Sequence, residues 1–109
     1  MKMIQALIWE DRFPFVKREL EKSGIFGMNA REVSGRGEQG GIHLKFRGGI
    51  LDVDLLPKLK LEIIVHDRFE NTVVDAIKKS AYTGKPGDGR IFIIPVEESI
   101  RIRTNDVEV

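Results

Sequence analysis

Twice along this chain an apolar strand runs straight into an amphipathic helix and then into a second strand, and no other feature restricts the fold so tightly. Met3 to Trp9 reads as the first strand. Asp11 is placed to cap a helix running to about Ser23, with Pro14 in the first turn, where its missing N–H costs little. Phe13, Val16 and Leu20 step by three and four, which gives that helix one apolar face, and Gly24 stops it. Met28 to Ser34 is the next strand. In the second half, Leu59, Leu61, Ile63 and Val65 alternate with Lys60, Glu62, Ile64 and His66, the period of a strand with one buried face. Asp67 then starts a helix lined on one side by Phe69, Val73, Ala76 and Ile77, and Ile91 to Val96 forms a fourth strand. Two β-α-β halves with helices on one face of a sheet predict an α+β sandwich of the ferredoxin-like, split βαβ kind.

At 109 residues the chain makes one domain. Eighteen Lys+Arg against 17 Asp+Glu argue against nucleic-acid binding by bulk charge. Zero cysteines rule out disulfides and thiolate metal sites and suit a cytoplasmic protein. The apolar start is too short for a membrane span, and it runs into Glu10-Asp11-Arg12 rather than a signal-peptide cleavage site. His43 and His66 lie in unrelated contexts without metal-ligand spacing, and the serines lack a glycine-flanked elbow, so no catalytic constellation is evident.

Three other constellations concern anions. Thr83-Gly84-Lys85-Pro86-Gly87-Asp88-Gly89-Arg90 packs three glycines and two cations ahead of a strand. Such a segment can be a plain Asp-Gly turn or a ring of backbone amides around an anion. Gly35-Arg36-Gly37-Glu38-Gln39-Gly40-Gly41 is either a linker or a second glycine loop. Arg101 and Arg103 alternate with Ile100 and Ile102, which puts both guanidinium groups on one side of an extended segment. Two glycine loops with paired arginines are what a polyphosphate site needs: amides to cradle it and guanidinium groups to neutralise it. The long stretch from about Gly37 to Leu56 reads as a functional loop, the natural place for partner contact.

The segments Tyr82 to Glu97, Ile100 to Thr104, Gly35 to Gly41, Phe46-Arg47-Gly48-Gly49 and Asp54 to Glu62 together resemble the PII signal-transduction family, in the right order and across the whole chain. The resemblance implies a homotrimer of ferredoxin-like subunits that binds ATP or ADP in the clefts between subunits. It further implies that 2-oxoglutarate binds together with Mg²⁺ and ATP, and that the protein is a regulator rather than an enzyme, with weak ATP hydrolysis at most a side activity. Residues 37–55 would be the partner-gripping T-loop, 82–90 the phosphate-contacting B-loop and 97–109 the C-terminal segment.

By the same resemblance, phosphate contacts fall on Gly37, Gly87, Asp88, Gly89, Arg90, Arg101 and Arg103, and the adenine pocket includes Asn29, Gly35 and Ile64. Gln39 would ligate Mg²⁺ and, with Lys58, meet 2-oxoglutarate. Arg47 would enter a partner such as an ammonium transporter, which would recruit the cytoplasmic protein to the membrane. The chain also departs from the family pattern. Leu51 replaces a modifiable tyrosine, Gly49 replaces a modifiable serine, Glu38 stands at an often basic position, Trp9-Glu10 replaces a basic-proline step, and Asn29 and Arg90 replace a commoner threonine and lysine. These changes motivate an alternative: a trimeric nucleotide-binding adaptor without 2-oxoglutarate sensing, for a target such as nitrogenase or another metabolic enzyme.

Overall fold

The computed structural model describes residues 1–36, 42–46, 49–53 and 55–109, the strands 42–46 and 49–53 by their backbone only. Among these residues the elements run β1 (Lys2–Trp9), α1 (Phe13–Lys22), β2 (Asn29–Gly35), β3 (Ile42–Phe46), β4 (Gly49–Val53), β5 (Leu56–Val65), α2 (Glu70–Ala81), β6 (Arg90–Pro95), β7 (Ser99–Ile100) and β8 (Val107–Glu108). The main sheet has the order β2-β5-β1-β6 with every neighbouring pair antiparallel. With both helices connecting strands that are not neighbours, this is the expected ferredoxin-like α+β architecture.

The alternation read from the sequence decides the layers. Ile4, Ala6 and Ile8 on β1 pair with Ile63, Leu61 and Leu59 on β5, and all six are buried beneath the helices. Val16 and Leu20 of α1, with Val73, Ala76 and Ile77 of α2, close the other side of that core. Helix α1 ends in a Schellman motif: Ile25 N–H donates to the Leu20 carbonyl (2.9 Å) and Gly24 N–H to that of Glu21 (3.0 Å). Gly24 has φ +81°, the left-handed turn this motif requires, and Ile25 folds back into the core.

Helix starts, the middle loop and the C-terminal arginines differ from the sequence expectation. Asp11 and Asp67 do not cap helices. Each lies in a short 3₁₀ turn, Glu10–Arg12 and Asp67–Phe69, that precedes the α-helix, and neither helix has a side-chain cap. The Asp67 carboxylate instead meets the Met1 amine at 2.8 Å, which holds its acidity above that of an ordinary aspartate. Within the expected 37–56 loop, β3 and β4 pair as an antiparallel ribbon from Ile42↔Val53 to Phe46↔Gly49. A ribbon of paired strands satisfies backbone groups that a bare loop of that length would leave to water. Finally, residues 99–108 form a hairpin rather than one extended run. Ile100 pairs with Val107, and Arg101 exchanges backbone bonds with Asp106 and Asn105 across a turn where Asn105 takes φ +60°. No helix among the described residues is long and apolar enough to cross a membrane.

Candidate functional site

The glycine-rich connection from α2 to β6 is built as a stapled loop. Arg12, just past β1, donates from Nε (3.0 Å) and Nη2 (2.7 Å) to the Ser80 carbonyl, one of the carbonyls that the last turn of α2 leaves without an intrahelical partner. The chain then turns so that the Asp88 carboxylate accepts the amides of Thr83 and Gly84, both at 2.9 Å, and the Thr83 hydroxyl. Burial alone would raise the Asp88 pKa. The Thr83 hydroxyl, the two amides and the nearby Lys58 charge outweigh it and bring the group below its ordinary value.

Gly87 and Gly89, with φ +96° and +94°, must be glycine for more than conformation. A Cβ on Gly89 would overlap the Leu7 carbonyl, and one on Gly87 would lie 2.5 Å from the Trp9 ring. The loop is therefore pressed against the end of β1. From there Arg90 opens β6 opposite Leu7.

Lys58 comes to the same place from β5. Its Cγ would meet a Cβ on Gly35 at 3.7 Å, so the stem lies over that glycine, and its ammonium donates to the Gly87 carbonyl. The ammonium also stands 3.3 Å from the centre of the Trp9 ring. The side chain is only 9% exposed, and burial pushes its pKa below the ordinary lysine value, an effect the Asp88 carboxylate partly offsets. Gly35, Lys58, Gly87, Asp88, Gly89 and Arg90 thus gather at one end of the sheet.

Asn29, Ile64, Arg101 and Arg103 do not join them. Ile64 pairs with Met3 near the opposite end of β1. It is six residues along β5 from Lys58, roughly 20 Å at strand spacing. Asn29 opens β2 opposite Glu62. Arg101 and Arg103 follow the far end of β6 in the exposed turn of the C-terminal hairpin. There Glu108 bridges Arg101 (3.4 Å) and His66 (3.2 Å), fixing the hairpin to the end of β5. The candidate residues therefore fall into two groups about a sheet's length apart. Gly37, Gln39 and Arg47, like Glu38, lie outside the described residues.

Between the two groups runs the sheet face that no helix covers. Met3, Gln5 and Leu7 share it with Phe92 and Ile94 of β6 and with Ile64. Ile64 is 53% and Phe92 42% exposed, so large apolar side chains stand on this open surface beside Gln5. A hollow of about 450 Å³ lies beside the loop on the α2 side, lined by residues including Val74, Ile77, Tyr82, Gly89 and Arg90. Neither Lys58 nor Gly87 lines it, so it is not the place where the buried cation stands.

Sequence reasoning passed over Trp9 and Arg12. Trp9 lies on the open face across from Lys58. The strand register carries that information, and the residue pattern alone does not. Arg12 could have been suspected only from its place beside an uncapped helix end.

The domain is thus an antiparallel βαββαβ sandwich with a glycine loop stapled to its first strand and two separated groups of cations. The family model for Nitrogen regulatory protein P-II matches residues 1–106. The chain is 50% identical over 106 residues to nitrogen regulatory protein P-II 2 of Methanothermobacter thermautotrophicus, covering 97% of this chain and 92% of that protein. It is 46% identical over 107 residues to nitrogen regulatory protein P-II of Porphyra purpurea, covering 98% and 96%. With that of Azospirillum brasilense it shares 42% over 106 residues, covering 97% and 95%. The chain belongs to the nitrogen regulatory protein P-II family, whose members are regulators.

Proposed function

We propose that this chain is a P-II-type signal transducer that binds ATP or ADP between the subunits of a homotrimer and, with Mg²⁺ and ATP, takes up 2-oxoglutarate. The observation that carries this reading is the division of the candidate residues into two groups, each read as a half-site. Gly35, Gly87, Asp88, Gly89 and Arg90 from one subunit would meet Asn29, Ile64, Arg101 and Arg103 from the next. The uncovered apolar side chains support the same assembly, because their burial between copies removes Ile64, Phe92 and Ile94 from water.

In this reading the backbone of Gly87, Asp88 and Gly89 lines the phosphates, while the Asp88 side chain holds the loop in shape. Arg90, Arg101 and Arg103 neutralise phosphate charge, with Arg101 oriented by Glu108. Lys58 meets a carboxylate of 2-oxoglutarate, and Gln39 takes a place on Mg²⁺, an ion that draws most of its ligands from phosphate, organic acid and water. Signalling follows from differential binding: ATP with 2-oxoglutarate and ADP favour different arrangements of residues 37–55, and the partner selects one. Arg47 would contact that partner, an ammonium transporter or a nitrogen-assimilation enzyme, from the cytoplasm.

The alternative, a nucleotide-dependent adaptor that does not sense 2-oxoglutarate, draws support from Glu38 and from the Gly87 carbonyl that already occupies one donor of Lys58. Calorimetric titration of 2-oxoglutarate with and without Mg·ATP separates the two. Binding only in the presence of Mg·ATP supports the sensor. ADP or ATP binding with no response to 2-oxoglutarate leaves the adaptor. The variant Lys58→Ala should lose 2-oxoglutarate while keeping ADP, and equal loss of both would overturn the division of roles.

A further inference from the structure

Trp9 stands where three parts of the site meet. It is paired with Lys58 across the β1–β5 ladder, so both side chains rise from the same open face. The Lys58 ammonium lies 3.3 Å from its ring centre, and the ring edge packs so closely on Gly87 that a Cβ there would be 2.5 Å away. Lys58 in turn donates to the Gly87 carbonyl. Ring, ammonium and loop carbonyl form one closed contact at the end of the sheet.

An ammonium has three donors. Here one is on Gly87 and the face of the indole borders the charge, which leaves donor capacity to receive an anion. A lysine in water must give up much rotamer freedom to hold that position, whereas here the aromatic face and the carbonyl have already fixed it. We propose that Trp9 is a positioning residue for anion binding: its ring holds the Lys58 ammonium on the Gly87 carbonyl, so that the lysine and the glycine loop respond to ligands as one unit. An anion arriving at Lys58 competes with the Gly87 carbonyl and so alters the loop that would line the phosphates. The inference rests on the reading of Lys58 as the 2-oxoglutarate residue, and it adds a residue from β1 that lies outside both glycine loops.

The test uses two readouts. The first is calorimetric affinity for 2-oxoglutarate with Mg·ATP present, in the full chain and in Trp9→Phe and Trp9→Leu. A ring face should largely suffice, so Trp9→Phe should stay within about three-fold of the parent while Trp9→Leu weakens by about ten-fold. Equal affinity in Trp9→Leu and the parent overturns the proposal, and so does equal weakening in both variants. The second readout needs no ligand. Trp9 is the sole tryptophan, so its emission reports directly on the ammonium at its face. Lys58→Met keeps the stem and removes the charge, and its emission should differ clearly from the parent in intensity or wavelength. Identical spectra would show that the contact does not persist in solution and would sink the proposal. If the parent binds no 2-oxoglutarate, the ligand reading fails, and the emission comparison alone decides whether Trp9 holds Lys58. The same comparison decides if Trp9→Leu does not fold.

Discussion

The two ends of the sheet hold their cations in opposite ways. At the glycine-loop end, shape is fixed from within. Asp88 ties the loop to itself, Gly89 lies on the Leu7 carbonyl, and Lys58 is buried against Trp9. At the far end, Arg101 and Arg103 project from a hairpin of two-residue strands held to β5 by the exposed Glu108–His66 contact. A preorganised half-site loses little entropy when its ligand arrives, and an exposed one can be completed only by what docks on it. The difference teaches that the first end should fail through stability and the second through binding alone.

The largest break in that comparison is Gly89→Ala. The new Cβ collides with backbone, and the residue would have to keep φ +94°. Nucleotide binding should disappear, and urea unfolding should show a loss of about 3 kcal/mol or more; a stable variant that still binds ADP would mean the loop is not pressed on β1. Next in size is Arg101→Ala combined with Arg103→Ala. Both side chains are exposed, so the unfolding midpoint should barely move, while ADP affinity falls about 100-fold by calorimetry.

Co-refolding that double variant with Lys58→Ala sharpens the same point. Half-sites from different chains should restore a fraction of the 2-oxoglutarate sites, each made of an intact loop end and an intact arginine end. Recovery of none would argue that each site is built within one chain. The smallest effect is acid titration of Asp88. Its folded pKa lies below the ordinary 3.8, so its contribution to stability is present above about pH 3.8 and is lost as pH falls through the lower folded value. Amide exchange at Thr83 and Gly84 should stay slow at pH 5 in the parent chain and be faster at that pH in Asp88→Asn.

The layers were legible in the residues because alternation and three-four spacing are read one element at a time. Ile4, Ala6 and Ile8 or Val16 and Leu20 need no knowledge of the rest of the chain. The helix caps were not legible. Asp11 and Asp67 have the right chemistry, but each sits in a 3₁₀ turn before the helix, and Asp67 finds a better partner in the chain's own amine. Nor was the hairpin around Arg101 and Arg103, since pairs as short as Ser99↔Glu108 and Ile100↔Val107 leave almost no periodic signal. The glycine loop was recognisable as chemistry, yet its contact with Trp9 and Lys58 depends on register between strands some fifty residues apart in the chain.

The position of β1 has a consequence for how the molecule is made. Strand β1, which precedes the rest of the main sheet in the chain, ends up between β5 and β6, and the second of these is complete only at Pro95. Until β5 is complete at Val65 the apolar segment Met3 to Trp9 has both backbone edges bare, and from then until β6 is complete at Pro95 it still has one. Vectorial synthesis gives such a segment ample opportunity to pair with a neighbouring nascent chain. The four-stranded sheet can close only once β6 has been made.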